Sequence, residues 1–357
     1  MAVNLVNHLP RERCRAFLCT TRGDGPLLEK LAPHVIRLQL RRRHRFDVLA
    51  VRSLVSFIRK HDIQILHAHG SSLFVAIVAS LFAPFPAVIR HVHSGGLATG
   101  EHAPWLHRLV ATRIKGVIAV NQALADWTCR TLGMDSKRVW YLPNFVWTSD
   151  SVHPKDKMIL PGEEGYRIVC LANIRPPKDH GTLLSAMAMV LQNVPNAHLI
   201  LVGMASKDAY LASLQRVIVN YQMQRHVSFL GHRNDVIDIL RSCDIGVLSS
   251  ISEGFPMTLL EYGMAKLPTV ATQVGQCPEV LDNGRAGILV PPGSPAQLAE
   301  AMVALLRSPE RRQYLGKQLN LHVQEAFSQQ RILEKFCQFY EMIVDEAEDA
   351  VATSARR

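Results

Sequence analysis

The chain has 357 residues, 48% hydrophobic and 20% charged. That composition excludes a disordered or fibrous protein and leaves room for two domains with cores of their own. Seven scattered cysteines without a C-x-x-C pair, in a chain with no secretory signal at its start, exclude a disulfide scaffold and suit a reducing, cytosolic compartment with buried thiols. The net charge of +10 is lopsided, because residues 1–150 hold 20 Lys and Arg against 9 Asp and Glu while the remainder holds 20 against 21.

In chain order, MAVNLVNHLP (1–10) reads as a helix and CRAFLCTT (14–21) as a strand. RRRHR at 41–45 is the densest part of the basic half. Such a half favours an anionic partner (a membrane surface, a phosphorylated lipid or nucleic acid) or is a solvated face that aids solubility. IQILHAH (63–69), AVIRHVH (87–93) and GVIAV (116–120) read as buried parallel strands, with FVAIVASLF, WLHRLVATRI and ALADWTCRTL as the helices beside them. Pro84 and Pro86 divide the longest apolar run, 73–89, into halves shorter than the ~20 residues that a membrane span needs. WTSDSVHPKDKMILPGEEG (147–165) is polar and rich in Pro and Gly, as an interdomain joint is.

Beyond the joint the scheme repeats. The strands expected are YRIVCLA (166–172), AHLILVG (197–203), VSFLG (227–231), DIGVLSS (244–250), LPTVAT (267–272) and AGILV (286–290). GTLLSAMAMVLQNV, DAYLASLQRVIVNYQM, VIDILRSC and SPAQLAEAMVALLRS alternate with them as helices, and a last helix is expected over 328–347 before a frayed tail. The alternation predicts an α/β fold with parallel sheets. One sheet of all these strands would reach or exceed the ~10 that open sheets carry, so two doubly wound domains are expected. They span 1–150 and 165–327, and 328–357 forms the terminal helix and tail.

In open parallel sheets ligands sit beyond the carboxyl ends of the strands. His67 and His69 end one such strand, His91 and His93 the next, followed by Ser94-Gly95-Gly96. Asn173, Arg175, Gly203, Gly231, Ser249 and Ser250 hold comparable places. SEGFPMTLLE (252–261) then sets Glu253 and Glu261 around a Gly254-Phe255-Pro256 turn. Gly254 lets backbone approach a ligand, Pro256 suits the first position of a helix, and the helix start favours an anion. A carboxylate there can grip neighbouring sugar hydroxyls, or it can be a plain favourable charge at a helix start. Arg175 and Lys178 can neutralise a diphosphate leaving group, or can belong to an ordinary basic loop. The two H-x-H pairs suggest a metal, but no Cys or carboxylate joins them locally, and no metal is expected. The absence of D-x-D argues for a metal-free reaction, and no P-loop or G-x-G-x-x-G motif occurs.

SSISEGFPMTLLEYGMAKLPTVATQVGQCPEVL (249–281) resembles the donor-binding core of the retaining glycosyltransferases of family 4. Their E-x-x-x-x-x-x-x-E mark is matched by Glu253 and Glu261, and a G-x-x-x-E turn by Gly275 to Glu279. LANIRPPKDHGTLLSAM, FLGHRNDVIDILRSCDIGVLSS, ILHAHG and VIRHVHSGG extend the resemblance over most of the chain. It implies a GT-B fold, two Rossmann-like domains facing a cleft, and metal-independent, retaining transfer from a nucleotide sugar, a UDP-sugar being expected. It assigns Glu261 to the ribose, Glu253 to the donor sugar, and the backbone of Gly254, Phe255 and Pro256 to sugar and diphosphate. Arg175 and Lys178 take the diphosphate, Gly203, Gly231, Arg233 and Val236 line the nucleotide side, and His93 faces the reacting sugar. The last helix is implied to cross back to the first domain. The implied acceptor is a polysaccharide, lipopolysaccharide or lipid-linked glycan, and the basic domain would meet anionic membrane from the cytoplasm; nucleic acid is not an expected partner. A nucleotide-sugar 2-epimerase and a non-catalytic nucleotide-sugar-binding protein are the alternatives.

The sequence departs from the family pattern in two places. The family's Arg, five residues before its Lys, is replaced here by Asn173, which leaves Arg175 to substitute. At the amino end, the family's first strand and Gly-rich loop are expected to be missing, as in a truncated version of a longer protein. Glu253→Ala is expected to abolish transfer and spare the fold.

Overall fold

The computed structural model describes residues 1–23, 25–44, 47–83, 86–93, 112–145, 158–205 and 209–355. The chain divides into two compact units, Met1–Asn144 with Gln329–Arg357, and Phe145–Ser328. The expected Ser94-Gly95-Gly96 turn and most of the 147–165 joint lie outside the described residues, as does most of the helix expected over 105–114. Ile114, the last residue of that expected helix, instead opens a strand.

The first unit begins with α1 (Ala2–His8), β1 (Phe17–Thr20), β2 (Ile36–Gln39) and α2 (Val48–His61). The sequence reading had not marked β2 or α2. Ala50, Leu54, Val55 and Ile58 recur at helical spacing on α2 and are buried. The Asp47 carboxylate caps α2 by accepting from the Ala50 N–H at 3.2 Å. Then come β3 (Ile65–His69), α3 (Leu73–Ser80), β4 (Ala87–Val92), β5 (Ile114–Ala119), α4 (Gln122–Leu132) and β6 (Val139–Tyr141). Among the described residues the strands form two parallel sheets, β1-β2 and β3-β4-β5-β6. The terminal helix Gln329–Ala355 belongs to this unit. It seats Phe336 and Phe339 in the core, and a Cβ on Gly116 of β5 would lie 2.6 Å from the Phe339 ring. Arg13 holds the helix from outside through Glu334 at 2.6 Å and Glu341 at 2.8 Å.

The second unit alternates regularly. β7 (Arg167–Leu171), α5 (His180–Asn193), β8 (His198–Val202), α6 (Ala209–Asn220), β9 (Val227–Gly231) and α7 (Val236–Arg241) make its first half. β10 (Ile245–Leu248), α8 (Met257–Met264), β11 (Thr269–Thr272), α9 (Cys277–Val280) and β12 (Ile288–Val290) follow, then α10 (Pro295–Leu306) and α11 (Pro309–Ala326). α11 was not anticipated, and α9 stands where only a turn was expected. All strands are parallel in the order β12-β11-β10-β7-β8-β9. Such strands, covered on both faces, read as unbroken apolar runs, which is why VCL, LILV and IGVL were legible.

The order reverses between β7 and β10, and there the two strands pair only at Ile245↔Ile168 and Gly246↔Val169. Beyond that point they part, and a buried phenol on α8 fills the split. Tyr262 accepts from the Leu171 N–H at 2.9 Å and shares its own proton between the Val169 carbonyl at 3.2 Å and the Val247 carbonyl at 3.1 Å. Gly246 makes room for the ring, since a Cβ there would lie 2.7 Å from it. Thr258 Oγ1 adds a bond to the Leu171 carbonyl at 2.9 Å. Tyr262→Phe leaves these backbone groups unpaired in a dry place. It is expected to lower the unfolding free energy by about 2 kcal/mol, to be read from the urea midpoint at unchanged slope.

Candidate functional site at the strand reversal

Above the split, the loops leaving β7 and β10 converge. Pro177 accepts from the Ile251 N–H at 3.0 Å, and the Lys178 carbonyl accepts from Ser249 Oγ at 2.9 Å. Thr272 Oγ1 holds the second loop from β11 by donating to the Ser250 carbonyl at 2.6 Å. The stitching brings Lys178 Nζ to 2.5 Å from Glu253 Oε1, and Ser250 Oγ donates to the same oxygen at 2.6 Å. Both charged side chains are largely enclosed, 13% and 9% exposed. Glu253 therefore sits as a counter-charge and acceptor in a place built by two loops.

Gly275 sets the floor of this place. Its φ is +50°, and a Cβ there would lie 2.1 Å from the Glu253 carbonyl oxygen. Only a residue without a side chain allows the Glu253 backbone so close. Helix α8 begins directly after, at Met257, with no side-chain cap. One expectation changes here: Pro256 is the residue before the helix rather than its first residue. Glu261 lies on the second turn of α8, half-buried.

The other candidate residues distribute as follows. Arg175 is exposed and heads the short turn Pro176–Lys178, and its guanidinium has no partner among the described residues. Asn173 accepts from the Met204 N–H at 3.0 Å, so it ties two loops together. Phe255 turns its ring into the core against Phe327, centroids 5.6 Å apart, which leaves only its backbone to a ligand. Gly203 has φ +152°, and a Cβ there would lie 2.2 Å from the Ala172 carbonyl oxygen. Close backbone packing therefore accounts for that glycine. Gly231 faces open space, and Val236 starts α7. Arg233 is held by Asp235, Nη2 to Oδ2 at 2.5 Å. Gly231 closes β9, and Arg233 and Val236 follow it, two strands from β7, or about 10 Å. His93 belongs to the first unit, where burial pushes it down to about 4.

The sequence reading missed Thr258, Tyr262, Thr272 and Gly246. A lone Tyr among apolar residues on a helix was the available signal, but the helix period gives a face and not a hydroxyl's partner. His180 was also missed. It is wholly buried behind Lys178, with both ring nitrogens unpartnered among the described residues. Burial first, then the Lys178 charge, pushes it down to about 4. A cleft of about 550 Å³ lies at the other end of β7, lined by Tyr166, Asn193 and Arg312, and holds none of the candidate residues.

Two outcomes are expected from this geometry. Glu253→Ala strands the Lys178 cation and is expected to lower the unfolding free energy by about 3 kcal/mol; Lys178→Met in the same chain restores most of that, as a double-mutant cycle by urea unfolding will measure. For His180, the unfolded state takes up a proton first, near its ordinary value of about 6.5. Its contribution to stability is thus full above pH ~6.5 and is lost as the pH falls toward 4. Thermal melts across that window are expected to flatten in His180→Leu.

Two family models match the chain. That described as Glycosyl transferases group 1 matches residues 154–320, and that described as Glycosyltransferase Family 4 matches residues 1–150. N-acetyl-alpha-D-glucosaminyl L-malate synthase of Bacillus anthracis is 24% identical over 83% of this chain and 79% of its own length. The UDP-Gal:alpha-D-GlcNAc-diphosphoundecaprenol alpha-1,3-galactosyltransferase of Escherichia coli is 22% identical over 68% of this chain and 66% of its own. Among solved structures, Anabaena HepE in complex with UDP and glucose superposes with a TM-score of 0.80 at 21% identity, covering 95% of this chain and 94% of that one.

Proposed function

The chain belongs to the glycosyltransferases of group 1 and family 4, and on that premise we propose that it moves a sugar from a nucleotide sugar to a polysaccharide, lipopolysaccharide or lipid-linked acceptor, with retention and without a divalent ion at the diphosphate. The observation that carries this reading is the Lys178–Glu253 pair at the strand reversal, with the Arg175 cation three residues away on the same loop. A diphosphate entering there competes with Glu253 for Lys178. Lys178 turns to the phosphates, and Glu253, still held by Ser250, becomes free to accept from sugar hydroxyls. Glu261 takes the ribose, the backbone of Gly254, Phe255 and Pro256 the sugar and diphosphate, and Gly203, Gly231, Arg233 and Val236 the nucleotide side. His93 is assigned to the reacting sugar.

In the reaction the bond from the sugar to the β-phosphate breaks, and its electron pair leaves with the diphosphate. The acceptor oxygen bonds to the sugar from the same face, and its proton goes to the departing phosphate. Fixed cations that meet the developing charge lower the barrier without reorganising. Relatives whose names or bound ligands include UDP support a UDP-sugar donor. The basic residues of the first unit support contact with anionic membrane from the cytoplasm, and no helix among the described residues is long and apolar enough to cross one.

A binding screen of UDP-, GDP- and ADP-sugars on the full chain, followed by transfer assays with product analysis, tests the reading. Arg175→Ala is expected to lower kcat/KM about 100-fold, and added Mg²⁺ or Mn²⁺ to leave the rate of the chelator-treated chain unchanged. Transfer that depends on added Mg²⁺ or Mn²⁺, an inverted product, or release of a free epimer without acceptor would each overturn the corresponding part.

A further inference from the structure

The first unit carries four histidines on one face of two neighbouring parallel strands. β3 and β4 pair with His69 opposite His91, and alternation along each strand puts His67 and His93 on the same side. The rings of His67 and His91 stack with centroids 5.1 Å apart, and those of His91 and His93 lie 4.1 Å apart. His67 Nδ1 meets the Tyr340 hydroxyl of the terminal helix at 2.7 Å, and its buried Nε2 has no partner among the described residues. His91 is 2% exposed, and neither of its ring nitrogens has a partner among the described residues. His69 Nδ1 meets His93 Nε2 at 2.8 Å.

Buried polar nitrogens without partners cost folding free energy, and a native chain keeps few of them. Water, or an ion, is what such groups accept. Neutral imidazoles have lone pairs and suit Zn²⁺ and its neighbours among the transition metals. Ligand atoms of His67, His69 and His91 all lie within 4.8 Å of one another. Two nitrogens on one zinc, each at about 2.1 Å, are at most ~4.2 Å apart, so small ring turns close the set. His67 already has the arrangement that metal-bound histidines use, one nitrogen bonded to a fixed neighbour and the other bare. Besides one another, the rings feel the Met1 α-amino group, whose own hold on a proton burial weakens.

We propose that His67, His69 and His91 form a binding site for one Zn²⁺-class ion, apart from the Lys178–Glu253 site and independent of the transfer reading. The ion would join β3 to β4 and, through His67 and Tyr340, brace the terminal helix. A fourth position is left for water.

The test uses the full chain, stripped with a chelator, incubated with zinc chloride and passed through a desalting column. About one zinc per chain by mass spectrometry, with a raised melting temperature, is expected. His69→Gln and His91→Phe, folded by circular dichroism, are expected to retain none. A wild-type chain that keeps no zinc, or folded variants that keep it, overturns the site. Should both variants unfold, cobalt-loaded wild type decides. Weak visible bands of an imidazole set support the proposal, whereas an intense thiolate band puts the ion on cysteines such as Cys14 and Cys337, whose sulfurs are 4.0 Å apart, and overturns it.

Discussion

The second unit is organised around one hydroxyl. Doubly wound sheets must part where their strand order reverses, because the loops leaving the two central strands run to opposite faces. Parting strands leave backbone N–H and carbonyl groups without ladder partners, and in a dry core that is costly. Tyr262 meets three of them at once, from a helix that itself follows β10. The same contact fixes where α8 starts, and so where the residues preceding it must lie. Glu253 stands at its place because the Tyr262 phenol, nine residues later, is pinned between strands.

With that frame fixed, the ion pair above it is a matter of local chemistry. An enclosed carboxylate and ammonium each need the other, since removing one leaves an uncompensated charge. Lys178 and Glu253 meet that need in the absence of ligand, and Ser250 satisfies a further lone pair of the same oxygen. The pair is thereby held ready rather than committed. On the proposed reading its two members would meet the two halves of one ligand, an anion and a set of hydroxyls, and separating them would become favourable only when both halves arrive together.

Much of this was legible in the sequence, and the boundary has a physical reason. IVCL and LILV announce buried parallel strands by their composition, and the position of Lys178 and Glu253 at strand ends follows from element order alone. Their mutual contact does not, because it depends on which strands are neighbours, and strand order is not written in local pattern. The same gap hid the histidine cluster. Each H-x-H shows a shared face on its own strand, but only the β3–β4 register brings His69 opposite His91. The helix Val48–His61 has a clear apolar period and an Asp cap and is readable in the sequence. For Gly203, position at a strand end does not reveal the Ala172 carbonyl that a side chain there would meet.

Each unit sets one buried phenol against the carboxyl ends of its strands. Tyr340 is enclosed, and burial raises its proton affinity well above the ordinary value, as it does for Tyr262. A phenol that does not ionise is a dependable partner in such a place, able to give one hydrogen bond and take another. The two differ in what they meet. Tyr262 meets backbone, whose groups have no further use once paired, and so it closes its split. Tyr340 meets a histidine, whose second nitrogen has no partner among the described residues. A tyrosine–backbone contact ends a chain of polar groups, whereas a tyrosine–histidine contact passes the need for a partner onward, to the bare Nε2 of His67 and the rings stacked beside it.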